Sequence, residues 1–247
     1  MRKVQTDPLI GLLAQVAVLA VLTAAVGLSA LGWLVGMSCG LVTDLALTHG
    51  LGRRQTPTLG PADWVTLTRA TLVGGVAALI TDSFSRPISV TLLVMLAAVA
   101  LVLDFVDGWV ARRTGTSSAL GARFDMEVDA FLIFALSVYV ARFDGGWVLA
   151  IGMARYLFVA AGSFLRWLRG PLPQRYWRKV VAATQGIVLT CAAAQLFSLP
   201  LTTAVLVVSL GLLVESFGRD VSWLWRNRKG VDESRVRPDL DVQAAPA

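Results

Sequence analysis

DFVDGWVARRTGTSSALGARFDMEVD, residues 104–129, puts Asp104, Asp107, Asp125 and Asp129 into a chain whose flanking sequence is almost wholly apolar. An ionised carboxylate inside a membrane span costs about 2.5–3.5 kcal/mol on insertion scales, so four together call for a compensating cation or a function. On helices, the i, i+3 spacing of Asp104 and Asp107 and the i, i+4 spacing of Asp125 and Asp129 each project a pair from one face. Two such pairs set opposite each other make an oxygen-lined cage suited to a hard divalent ion such as Mg²⁺ or Mn²⁺.

The surrounding chain decides the fold class. It has 247 residues, 56% hydrophobic and 15% charged, with a mean hydropathy of +0.69. That balance lies outside the range of soluble domains and reads as an all-α integral membrane protein. Stretches apolar and long enough to cross about 30 Å of hydrocarbon run over 9–26, 29–47, 64–82, 87–106, 119–141, 146–165, 180–197 and 201–217, about eight spans. The first two are parted only by Gly27–Gly32, which leaves a tight hairpin and one long broken helix both open. Three regions follow: an N-terminal transmembrane hairpin and connector over 1–60, a six-span body over 61–217, and a tail over 218–247 that is partly disordered beyond about 231. Pro61 and Asp63 carry the marks of a helix start.

Lys and Arg orient the spans. With both termini cytoplasmic, the inner side receives Arg2, Lys3, Arg53, Arg54, the arginines of 112–123, the basic connection from Arg166 to Lys179 and the C-terminal group, whereas the outer loops hold only Arg86 and Arg142. This obeys the positive-inside rule and opens the carboxylate cage to the cytoplasm of a multi-pass protein of the plasma membrane. The net charge of +6 follows from that bias and from attraction to anionic lipid; no soluble basic and aromatic module points to nucleic acid. Cys39 and Cys191 fall in spans and read as packing residues, and His49, the sole histidine, reads as structural.

The pattern DxxDG, two residues, AR, eight residues, GxxxDxxxD resembles the signature of the CDP-alcohol phosphatidyltransferase family at every defining position, through Asp104, Asp107, Gly108, Ala111, Arg112, Gly121, Asp125 and Asp129. The resemblance implies a core of six transmembrane helices over about 61–217 and says nothing of the N-terminal hairpin. It implies attack by an alcohol hydroxyl on the lipid-bearing phosphorus of a CDP-alcohol such as CDP-diacylglycerol, with release of CMP. Asp104, Asp107, Asp125 and Asp129 would then be ligands of two Mg²⁺ or Mn²⁺ ions, with Asp129 also the general base. Gly108, Ala111 and Arg112 would meet the CDP group, and Ser118, where family members often carry Thr, would make the same hydroxyl contact. Asp63 and Thr66 resemble the family's shorter D/NxxT element, which also contacts the nucleotide. A homodimer in membrane lipid is a further family expectation.

The acceptor side is less determined. Arg155 stands inside a span and is expected to face a polar cavity. Together with Arg178 and Lys179 it matches regions where relatives bind the phosphate of a phosphorylated polyol, such as glycerol 3-phosphate or inositol phosphate. The bland reading of the basic connection is headgroup anchoring and topology. Glu215 and Arg219 read as an i, i+4 ion pair, Asp44 and Asp82 as span-end residues reaching interfacial water, and Gly32 and Gly36 as helix-packing positions. Two other functions fit an acidic membrane site. A Mg²⁺-dependent intramembrane prenyltransferase would spread its aspartates over two distant segments, and a divalent-cation transporter would show interrupted helices repeated in two halves.

Overall fold

A computed structural model describes residues 6–54, 61–114, 119–170 and 176–228, with side-chain positions for most of them. In hydrocarbon every backbone N–H and C=O must be paired within its own segment, and long runs of Leu, Val and Ala satisfy this as helices. Among the described residues there are eight α-helices and no strand: α1 (Thr6–Val26), α2 (Ala30–Arg54), α3 (Pro61–Asp82), α4 (Val90–Thr114), α5 (Ala119–Asp144), α6 (Leu149–Phe164), α7 (Tyr176–Ala193) and α8 (Leu199–Arg226). Short 3-10 turns at Gly146–Val148 and Arg166–Arg169 precede and follow α6. The eight expected spans fall on these eight helices. α8 runs nine residues beyond the expected end at 217, so part of the expected tail is helical, while residues after 228 lie outside the described set.

α2, α3, α6 with its preceding turn, and α8 are long and apolar enough to cross a membrane outright, and α1 and α4 supply shorter apolar helices. α5 falls short because Arg123, Asp125, Glu127 and Asp129 crowd its first turns. Leu13, Val42, Val102, Leu157 and Val208 are among many large apolar side chains exposed on the outside of the bundle, as a lipid-facing surface requires.

The open choice at 27–32 is resolved as a hairpin. Gly27 takes φ +67°, a left-handed conformation that glycine adopts without strain, and its N–H closes α1 on the carbonyl of Thr23 at 2.7 Å. α2 then returns antiparallel to α1, with the Trp33 indole N–H donating to Thr23 Oγ1 at 2.8 Å. Gly36 and Gly40 of α2 seat Leu19 and Gln15 of α1 so closely that a methyl group at either would sit 2.6 or 2.8 Å from them. Cys39 and Cys191 are free and half-buried, in keeping with packing roles.

α3 is the centre of the bundle: 72% of its apolar span is buried, against 22% for each of the other three clear spans. The hairpin covers one side of it and α4 and α5 the other, so its two faces carry different chemistry. Toward the hairpin it presents Leu67, Gly74 and Gly75; toward α4 and α5 it presents Arg69. One expectation is overturned here. Asp82 does not reach interfacial water: it is 1% exposed and bonded to Ser29 and Arg86. The start of α2 packs directly over it, which the sequence positions of the two helices do not reveal. Asp44 is half-buried, and its Oδ1, like Gln15 Nε2, has no hydrogen-bond partner among the described residues.

Candidate metal centre

The last turns of α4 and the first turns of α5 lie against the first half of α3. One carboxylate oxygen from each of Asp104, Asp125 and Asp129 falls within 4.8 Å of the others, and all three residues are half-buried. A hard divalent ion with ligands at roughly 2.0–2.6 Å spans about 4–5 Å between opposite oxygens, so the three fit one such ion with little movement. All donors are carboxylate oxygens, which favours Mg²⁺ or Mn²⁺ over softer metals. Asp107 is on α4, one turn beyond Asp104, with its side chain outside the described set.

The sequence reading passed over the residue at the centre of this cluster. Arg69 of α3 is 1% exposed, the largest fully buried side chain among the described residues. Its Nη1 reaches Asp104 Oδ1 at 3.0 Å and contacts Asp125 Oδ1, its Nη2 contacts Asp129 Oδ1, and its Nε–H donates to the carbonyl of Ala100 at 3.2 Å. One guanidinium beside three carboxylates leaves the cluster net negative, an electrostatic setting that still attracts a cation. An arginine in mid-span, one turn after Thr66 on the same helix face, was the available signal, since a charge there needs a partner.

The expected nucleotide contacts are only partly placed. Asp63 and Thr66 lie two turns and one turn before Arg69 on α3, half-buried and buried respectively. Gly108, Ala111 and Arg112 lie on α4 beyond Asp107, with side chains outside the described set, and Ser118 lies outside the described residues.

The expected acceptor residues have acidic neighbours that the sequence reading did not name. Arg155 of α6 is ion-paired with Glu127 of α5, and its Nη1 lies 2.8 Å from Met126 Sδ. α6 approaches α5 this closely because Gly152 sits against Ser137 and the backbone of Phe134. Arg178 of α7 stands 3.5 Å from the buried Asp220 of α8, and Lys179 is exposed. Glu215 and Arg219 form the expected pair, and Glu215 also accepts the Trp177 indole N–H at 2.9 Å.

Residues 60–214 match the family model described as CDP-alcohol phosphatidyltransferase, a stretch that contains α3 to α7 and over half of α8. No solved structure matches the chain.

Proposed function

The chain belongs to the CDP-alcohol phosphatidyltransferase family, and from that premise we propose that it transfers a phosphatidyl group from CDP-diacylglycerol to the hydroxyl of a phosphorylated, water-soluble polyol. The family's common activity is phosphatidyl transfer from a CDP-alcohol in phospholipid synthesis. The observation that carries the reading for this chain is the approach of Asp104, Asp125 and Asp129, from two helices, to within 4.8 Å of one another.

Asp104, Asp107, Asp125 and Asp129 would hold two Mg²⁺ or Mn²⁺ ions. Bound there, the ions would neutralise the donor's pyrophosphate and steady the attacking and leaving oxygens. The remaining work falls to the chain. Asp129, last of the four, takes the proton of the acceptor hydroxyl as its oxygen bonds to the lipid-bearing phosphorus and the bond to CMP breaks. Arg112 grips phosphate in the forked geometry that Lys lacks, beside Gly108, which has no side chain to block the nucleotide, and the small Ala111. Asp63, Thr66 and Ser118 complete the nucleotide side. Arg155, Arg178 and Lys179 receive the acceptor phosphate, with glycerol 3-phosphate and inositol phosphate as the leading acceptors.

The same reading sets the cage toward the cytoplasm of the plasma membrane with both termini inside, treats 61–217 as the catalytic core and 1–60 as an appended hairpin, and expects a homodimer. CMP release by the purified protein with CDP-diacylglycerol and Mg²⁺ or Mn²⁺, across a panel of acceptors, is the direct test, with Asp129→Asn as control. Release that depends on one phosphorylated polyol supports the proposal. Release with an unphosphorylated acceptor alone would reject the acceptor class, and no release with any acceptor would reject the donor.

A further inference from the structure

A guanidinium that touches one oxygen of each of three carboxylates from two helices competes for the oxygens a metal ion would need. We propose that Arg69 is the resident counter-cation of the cage: it holds Asp104, Asp125 and Asp129 together in the metal-free protein and is displaced from them when a divalent ion binds. The proposal rests on the reading of these carboxylates as metal ligands.

The geometry supports displacement over simultaneous occupancy. Arg69 engages Oδ1 of all three residues through its two terminal nitrogens, so an ion ligated by those same oxygens competes with it for all three at once. A cation at the same centre would also face the guanidinium's charge at short range in a buried setting. Nε is tied elsewhere, to the carbonyl of Ala100, which lies one helical turn before Asp104. The guanidinium is planar and rigid, so withdrawal from the carboxylates swings the whole group about the side chain's aliphatic torsions and exchanges the Ala100 bond as well. Without Arg69, three half-buried carboxylates whose oxygens lie within 4.8 Å of one another would repel. The device keeps the cage assembled between metal-bound states and lowers its affinity below that of a bare carboxylate cluster.

The test uses the full chain in detergent, stripped with EDTA, and reads Mn²⁺ binding by the electron paramagnetic resonance signal of free Mn²⁺, beside thermal unfolding with and without the ion. Arg69→Gln is expected to bind Mn²⁺ at least about tenfold more tightly than wild type. Its metal-free form should melt about 5–10 °C lower, and saturating Mn²⁺ should close most of that gap. Arg69→Lys keeps a charge but cannot reach three carboxylates at once, and should fall between the two in both readouts. Unchanged or weaker Mn²⁺ binding in both variants would overturn the proposal and make Arg69 a fixed orienting group. So would an equal loss of stability with and without the ion, or an Arg69→Gln protein that fails to fold even in excess Mn²⁺. Absence of Mn²⁺ binding in wild type and variants alike would reject the metal reading and this proposal together, whereas normal wild-type binding unaltered by either substitution rejects this proposal alone.

Discussion

Asp82, the last residue of α3, accepts the backbone N–H of Ser29 at 2.9 Å and the Ser29 hydroxyl as well, so the end of the central helix is bonded to the start of α2. Ser29 Oγ in turn accepts the N–H of Gly32 at 3.1 Å, and Arg86 pairs with the same Asp82 carboxylate. A carboxylate at a helix N-terminus satisfies orphan N–H groups and the helix dipole together. Here the carboxylate comes from a different helix, and it fastens the N-terminal hairpin to the body. Asp82→Ala is expected to cost about 2–3 kcal/mol through the lost charged hydrogen bonds, read as a fall in the thermal midpoint of the detergent-solubilised protein. Gly32→Ala should destabilise by a similar route, since its new methyl group would stand 2.6 Å from Asp82 Oδ1. Because the two changes act on one contact, the double variant should lose clearly less than the sum; additivity would show that the contact is not formed.

Such a bond explains why the sequence was legible in some respects and opaque in others. Helix positions follow from runs of apolar residues and their breakers, which are local, and Gly27 and Pro61 mark helix ends where expected. The spacing of Asp104, Asp107, Asp125 and Asp129 is also local, within two consecutive helices. Asp82 with Ser29, Arg69 with the cage, Arg155 with Glu127 and Arg178 with Asp220 each join residues from different helices. No periodicity within one helix encodes a partner on another. What the sequence did offer was the cost of each charge in a span, a reason to expect a partner without a means to name it.

The role proposed for Asp129 predicts a particular division of effects. Asp129→Asn should lower CMP release by about 10²–10⁴-fold, the usual contribution of a positioned base, while CDP-alcohol binding, measured by equilibrium binding of a labelled donor, stays largely intact. EDTA should stop turnover of the wild type, and added Mg²⁺ or Mn²⁺ should restore it. Wild-type turnover by the Asn variant would remove Asp129 from the base role, and turnover in thoroughly chelated protein would remove the metal.

Packing between α5 and α6 sets a third expectation. A methyl group at Gly152 would lie 2.1 Å from Ser137 Oγ and 2.7 Å from Phe134 Cα. The first of these atoms belongs to a side chain and the second to the backbone, which cannot yield without moving a helix. Gly152→Ala should therefore destabilise by about 1–3 kcal/mol, and adding Ser137→Ala should recover only part of it. Full recovery in a thermal unfolding series would mean that the helices approach less closely than described.

Arg155 and Glu127 offer the sharpest separation between a structural and a functional cation. Their pair is partly exposed, with Arg155 at 27% and Glu127 at 57% of side-chain area, so its own contribution to stability is small. If Arg155 receives the acceptor phosphate, Glu127 competes with that phosphate for the guanidinium. Arg155→Ala should then raise the acceptor KM by about 10–100-fold, the value of a charged hydrogen bond, and leave the donor KM near its wild-type level. Glu127→Gln should move the acceptor KM the other way, because it frees the guanidinium while keeping the side chain's size. A pair that merely joins α5 to α6 predicts no opposition: both variants would shift the thermal midpoint slightly and neither would change the acceptor KM. Steady-state kinetics on the two variants, with acceptor and donor varied in turn, distinguishes these cases by the sign of the Glu127→Gln effect.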